Sequence, residues 1–281
     1  MEFRLFQVDA FTREPFKGNP AAVCLLDSAL PDALLQAIAA EMNLSETAFV
    51  YPLDSERWQS AQRFSLRWFT PAVEVRLCGH ATLATAAVLF RECGVLAETV
   101  AFETLSGTLM AQRVTGGVVE EGIRLDFPMD KPVAATVPEG VVDALGDVEV
   151  LWSGVGSKTQ MLLLHLADKE ALIGLQPDFV RLGATMEAAG LHGPIVTAAA
   201  SSPYDFISRF FAPGLGINED PVTGSAHTVL APYWSGLLGK SACTAYQASA
   251  RGGQLWVRLL PAERVEIIGQ AVVVLEGRLR G

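Results

Sequence analysis

Apolar and polar positions along the chain change period repeatedly, from the spacing of a strand to that of a helix and back. In residues 63–68, apolar Phe64, Leu66 and Trp68 alternate with Arg63, Ser65 and Arg67, which predicts a half-buried strand. Pro31-Asp32 opens a helix with Leu34, Leu35, Ile38 and Met42 on one face, and Asn43 is its predicted stop. Residues 47–51 then read as a strand. Further strands are predicted over 161–166, 194–199, 255–260 and 272–275, with a surface helix over 177–189. Two helical stretches stand apart because they are apolar on every side. The first covers 81–90, with no charge before Arg91; the second covers 226–238 and is predicted to bend at Pro232. A helix without a polar face must be wrapped by other elements.

The surroundings of these two helices repeat. Arg67-Trp68-Phe69-Thr70-Pro71 is echoed 142 residues later by Arg209-Phe210-Phe211-Ala212-Pro213. A short loop follows each, then Gly79-His80-Ala81-Thr82 in one half and Gly224-Ser225-Ala226-His227 in the other. The equivalent order of strand, Pro-containing loop, Gly and apolar helix predicts a duplicated chain. The expected halves are 1–121 and 122–271, with a C-terminal strand near 272–281 returning to the first half. A new strand at Leu125-Asp126-Phe127-Pro128, following a Gly116-Gly117 turn, marks the passage between them.

With 281 residues, half of them hydrophobic and 19% charged, the chain is long and apolar enough for two cores. A formal net charge of −10 argues against nucleic acid or an anionic membrane surface as the main partner. The first residues alternate like a strand, without a signal-peptide pattern, and no run reaches the roughly 20 apolar residues of a membrane helix. The four cysteines are scattered, which predicts neither a disulfide framework nor a zinc knuckle. A reduced, cytoplasmic protein is expected.

Both apolar helices start with Gly followed by a small polar residue or His. Unsatisfied N–H groups and the helix dipole there suit a carboxylate or phosphate. The same glycines also serve simply as tight starts to buried helices, and the pattern alone leaves the two readings even. Glu46 lies where a helix hands over to a strand. A lone Glu there is ordinarily a solvated charge or a cap, whereas one buried beside Ala48 and Phe49 would serve as a general base. Asp220 opens Asp220-Pro221-Val222-Thr223-Gly224-Ser225, where its plainer role is as a turn or capping residue. His80 at a helix start caps, donates to an anion or relays protons; His227, further along, reads as structural. His165 and His192 carry no chemical pattern. Neither metal-ligand spacings nor nucleotide-binding glycine motifs occur in the sequence, so acid–base chemistry without metal or cofactor is the expectation.

Six segments in this order and spacing resemble the phenazine-biosynthesis PhzF-like family, within the diaminopimelate epimerase fold. They are Val8-Asp9-Ala10-Phe11, Gly18-Asn19-Pro20-Ala21-Ala22-Val23, Met42-Asn43-Leu44-Ser45-Glu46-Thr47, Cys78-Gly79-His80-Ala81-Thr82, Leu125-Asp126-Phe127-Pro128 and Asp220-Pro221-Val222-Thr223-Gly224-Ser225-Ala226-His227. The resemblance implies an α/β (α+β) fold of two similar domains, each a curled, mostly antiparallel sheet around a central apolar helix, with the site in the cleft between them. It also implies a cofactor-independent isomerase, in which Glu46 moves a proton between carbons of a small carboxylate-bearing substrate. Asp220 and His80 would assist as catalytic residues, and Gly79, Ser225, Gly224, Asn19 and Cys78 would contact substrate. A homodimer is expected, and membership leaves open whether the pathway is phenazine synthesis. Related racemases use one thiol from each half. Cys78 stands at the first such position, but no cysteine occurs in Asp220-Pro221-Val222-Thr223. Two competing expectations remain: an epimerase pairing Glu46 with Cys78, and a binding protein that senses a metabolite without turnover.

Overall fold

The computed structural model describes residues 2–116 and 119–280. The chain divides into two compact units, Met1–Asp126 with Ile268–Gly281, and Phe127–Ile267. The division falls inside the strand Glu121–Pro128, between Asp126 and Phe127. Gly117 lies outside the described residues; its neighbour Gly116 has the positive φ (77°) of a turn glycine.

In the first unit, strand Glu2–Ala10 pairs antiparallel on one side with Ala271–Arg280 and on the other with Asn19–Leu25. Asn19–Leu25 pairs parallel with Glu46–Pro52, which pairs antiparallel with Arg63–Phe69. Arg63–Phe69 takes the short strand Glu74–Val75 antiparallel at one end and Thr99–Thr104 parallel at the other. Thr99–Thr104, Gly107–Thr115 and Glu121–Pro128 then continue as antiparallel neighbours. A parallel pair needs a crossover. The first is the helix Asp32–Met42, whose Leu35, Ile38 and Ala39 are buried and which ends at Asn43 in the left-handed conformation (φ 49°). The second is the apolar helix Gly79–Arg91.

The second unit repeats this sequence of pairings step for step. Val150–Gly156 and Met161–Leu166 are antiparallel, Met161–Leu166 and Gly193–Ala199 parallel, Gly193–Ala199 and Phe206–Ala212 antiparallel. Phe206–Ala212 takes the short strand Ile217–Asp220 antiparallel and Ala242–Gln247 parallel, and Ala242–Gln247 pairs antiparallel with Gly253–Leu260. The helices Lys169–Gly174 and Phe179–Ala188 replace the single first crossover. Phe179–Ala188 starts two residues later than its sequence pattern suggests, because the Asp178 side chain caps it by accepting from Arg181 N–H at 3.0 Å. The helix Gly224–Leu238 is the second crossover and contains Pro232.

The first apolar helix is buried over residues 80–90, and the second over most of its length up to Ser235, with its last turn exposed. Three of their threonine hydroxyls find partners in the preceding turn, where no water is needed. Thr82 Oγ1 donates to Cys78 O (2.6 Å), Thr85 Oγ1 to Ala81 O (2.7 Å) and Thr228 Oγ1 to Ser225 O (2.7 Å). The Trp234 indole N–H donates to Thr197 Oγ1 at 3.0 Å. The duplication also reaches individual side chains. Arg67 forks onto Glu74 (2.7 and 2.8 Å) with its guanidinium 5.1 Å from the Phe69 ring centre. Arg209 forks onto Glu219 (2.7 and 2.9 Å) and lies 4.9 Å from the Phe211 ring centre. Each pair ties the strand before a buried helix to the short strand that leads into that helix.

Candidate active site

Glu46 is the first residue of its strand and pairs with Ala21 of the neighbouring strand. The left-handed turn at Asn43 ends the preceding helix and redirects the chain into that strand. Asn19 lies two residues before Ala21 on the same strand and, by the period of two, on the same face as Ala21. Asn19 is fully buried. The loop before it is held by Asp9, whose Oδ2 accepts from Phe16 N–H at 2.7 Å. Gly18 has φ +63°, and a Cβ there would meet Ala10 O at 2.1 Å, so glycine is required for this approach to Asn19.

The helix Gly79–Arg91 brings two more candidates to Glu46. His80 is 5% exposed; its Nε2 lies 3.2 Å from Glu46 Oε2, and its Nδ1 lies 3.5 Å from Cys78 Sγ. At that distance the histidine and carboxyl group would read as a salt bridge, but burial pushes the imidazole down to about 3. His80 is therefore neutral at pH 7 and carries a single ring proton. A proton on Nε2, towards the carboxylate, leaves Nδ1 to accept from the Cys78 thiol. The Nε2···Oε2 approach lies off the direction of a good hydrogen bond. Cys78 is the residue before the first helical turn, in extended conformation, and places no side-chain cap on that turn.

Glu46, Cys78 and His80 are also a group of metal-ligand types whose donor atoms lie within 4.8 Å of one another. The imidazole stands between the other two, with a different nitrogen towards each.

In the second unit, Thr223 precedes the helix Gly224–Leu238 as Cys78 precedes its own. Asp220 ends the short strand ahead of it, and the Thr223 hydroxyl donates to Asp220 Oδ2 at 2.5 Å. His227 is buried, with Nδ1 2.8 Å from Thr223 O, and burial pushes its imidazole down to about 4. Ser225 is partly buried and Gly224 fully so, both in the first turn. Of the expected site residues, Glu46, His80, Cys78, Gly79 and Asn19 thus lie in the first unit, and Asp220, Gly224 and Ser225 in the second.

Reasoning from sequence missed Gln247. It is fully buried at the end of its strand, and its amide bonds both Thr223 and Asp220. A lone Gln in a strand carries no sequence signal for this role. Two open cavities in the first unit, of about 540 and 620 Å³, include none of the candidate residues. In the former, Arg91 is paired with Glu121, and Arg113 donates to the carbonyls of Phe90 and Val95.

A duplicated α+β chain, each half a sheet around a buried helix, has the epimerase-like fold. A hydroxyproline epimerase from Agrobacterium vitis shares this fold, with a TM-score of 0.59 at 11% identity over 99% of this chain and 92% of that one. The chain belongs to the phenazine biosynthesis-like protein family, whose sequence pattern matches residues 8–277. An uncharacterised isomerase of Pseudomonas aeruginosa is 48% identical over 282 residues, covering 100% of this chain and 99% of its own. The PhzF-family protein of Enterococcus faecalis has a TM-score of 0.89 at 42% identity, with both chains fully covered. The chain is an isomerase of this family. Among the described residues, no helix is long and apolar enough to cross a membrane.

Proposed function

We propose that this isomerase moves a proton between carbons of a small carboxylate-bearing substrate, with Glu46 as the base. The observation that carries the reading is the buried contact of Glu46 with His80, whose protonation burial disfavours, at the start of the helix Gly79–Arg91. A neutral imidazole leaves the carboxylate outside a fixed salt bridge, so it remains able to accept a proton. Glu46 takes a proton from a carbon next to an electron-withdrawing group, and the C–H electron pair passes into that group as an enolate-like anion. The first N–H groups of the helix Gly79–Arg91 favour such charge, as does a donor on His80. The proton is returned at another carbon by Glu46, or by Asp220 acting as its acid partner, which restores the ligand's original charge and leaves it as an isomer. Asn19, Gly79, Gly224 and Ser225 would orient the substrate. No metal or cofactor enters these steps.

Cys78 supports a second reading, in which Glu46 and the thiol act on opposite faces of one stereocentre, because both touch the same imidazole. A third is ligand binding without turnover. A panel of small cyclic and aromatic carboxylic acids, incubated with the protein in D₂O, separates the three. Thermal shift identifies the acids that bind, and proton NMR follows their hydrogens. Deuterium at a new carbon, with the double bond relocated, is the expected result. Exchange confined to one stereocentre indicates the epimerase, and binding with no exchange would overturn the isomerisation chemistry.

A further inference from the structure

We infer that Gln247 is a positioning residue for Asp220, acting through a hydrogen-bond chain of fixed direction. The inference rests on the reading that Asp220 belongs to the site. Gln247 ends the strand Ala242–Gln247, whose parallel neighbour Phe206–Ala212 also pairs with the strand that ends at Asp220. Its side chain therefore reaches the turn between Asp220 and the helix start from beneath.

The direction of the amide is set by partners that have no choice of role. Thr223 N–H is only a donor, and it meets Gln247 Oε1 at 2.8 Å. Asp220 O is only an acceptor, and it receives Gln247 Nε2 at 2.7 Å. The other hydrogen on Nε2 points to Thr223 Oγ1 at 3.1 Å. That oxygen thus accepts from Gln247, and its own proton is turned away, towards Asp220 Oδ2. The chain runs one way, from Gln247 amide to Thr223 hydroxyl to Asp220 carboxylate.

Three bonds from one fully buried side chain place both ends of the turn and orient the hydroxyl. A neighbour adds a second tie: Ser249 Oγ donates to Pro221 O at 2.8 Å and accepts from Gly252 N–H at 3.1 Å. A rotating hydroxyl would serve Asp220 part of the time, whereas a fixed one holds a donor on its Oδ2 throughout. The residue matching Thr223 in the first unit is Cys78, whose thiol faces an imidazole instead. Where a two-thiol racemase would need a second cysteine, this chain has a hydroxyl committed to a carboxylate.

The test needs no substrate. The side-chain carboxyl carbon of Asp220 is followed by NMR in protein labelled with ¹³C-aspartate, with Asp220→Asn used to assign the signal. Its titration is compared in wild type, Thr223→Val and Gln247→Met. Thr223→Val removes the donor directly, and Gln247→Met releases it while keeping similar volume. Loss of a donor to the carboxylate should raise the titration midpoint by roughly one pH unit in both variants. An unchanged midpoint in Gln247→Met, with Thr223→Val shifted, would overturn the role of Gln247; unchanged midpoints in both would overturn the chain. If Gln247→Met does not fold, Gln247→Ala, which also releases the Thr223 hydroxyl and adds no charge beside Asp220, carries the same comparison. A protein that turned over no acid in the D₂O panel would defeat the proposed reaction yet leave this titration intact.

Discussion

At the scale of single residues, Glu46 shows what chemistry alone predicts and what it does not. Composition makes a Glu between helix and strand an ordinary surface charge, and only the surrounding family motif marks it as a base. The structure adds the neutral His80 beside it, which depends on burial and is invisible in a sequence. Gln247 was illegible for a similar reason, because its partners Thr223 and Asp220 are over twenty residues away along the chain. Cys78 gives a prediction here. Its thiol is buried against His80, and the matching position in the other half is Thr223, so two-thiol chemistry lacks its partner. Cys78→Ala should retain activity within about tenfold while losing about 1 kcal/mol of stability to a small cavity. Steady-state rates beside urea unfolding measure both, and a loss of several orders of magnitude in a folded variant would restore the thiol as a catalyst.

At the scale of elements, the apolar helices were the most legible features, because a helix without a polar face has one physical solution. They begin at Gly79 and Gly224, the glycines that the sequence marks as their starts, although the apolar pattern itself begins only at 81 and 226. Hydrophobic period detects the buried body of a helix, whereas glycines at its first turn contribute no side chain to that pattern. The strand at 63–68, marked by its alternation, and the comparable run at 161–166 both form. The Arg67–Glu74 and Arg209–Glu219 forks were hidden, although both arginines stand in the repeated motif. A five-residue echo identifies the arginine but not the glutamate, which follows after seven residues in one half and ten in the other.

At the scale of the whole molecule, burial of histidines links stability to pH. His80 and His227 are pushed down to about 3 and about 4, and burial lowers His165 as well. An unfolded chain protonates its imidazoles near 6.5. Between that value and the folded values, the unfolded state binds more protons, so stability rises with pH. The contribution is complete above about 6.5 and is lost as pH falls through the window below it. Urea midpoints measured from pH 7 to pH 5 should therefore fall steadily on acidification, before most carboxylates titrate. A midpoint that stays level across that range would contradict neutral, buried imidazoles at these positions.

The central claim is that Glu46 carries the proton, and Glu46→Gln tests it most directly. Glutamine keeps the shape of the side chain and its place on the strand but cannot accept a proton from carbon. With an acid that the wild-type protein labels in D₂O, deuterium incorporation into that acid is measured for both proteins, alongside the thermal shift that reports binding. The account predicts that Glu46→Gln still binds the acid and that its incorporation falls by at least about a thousandfold. Incorporation at a rate near that of wild type would contradict it.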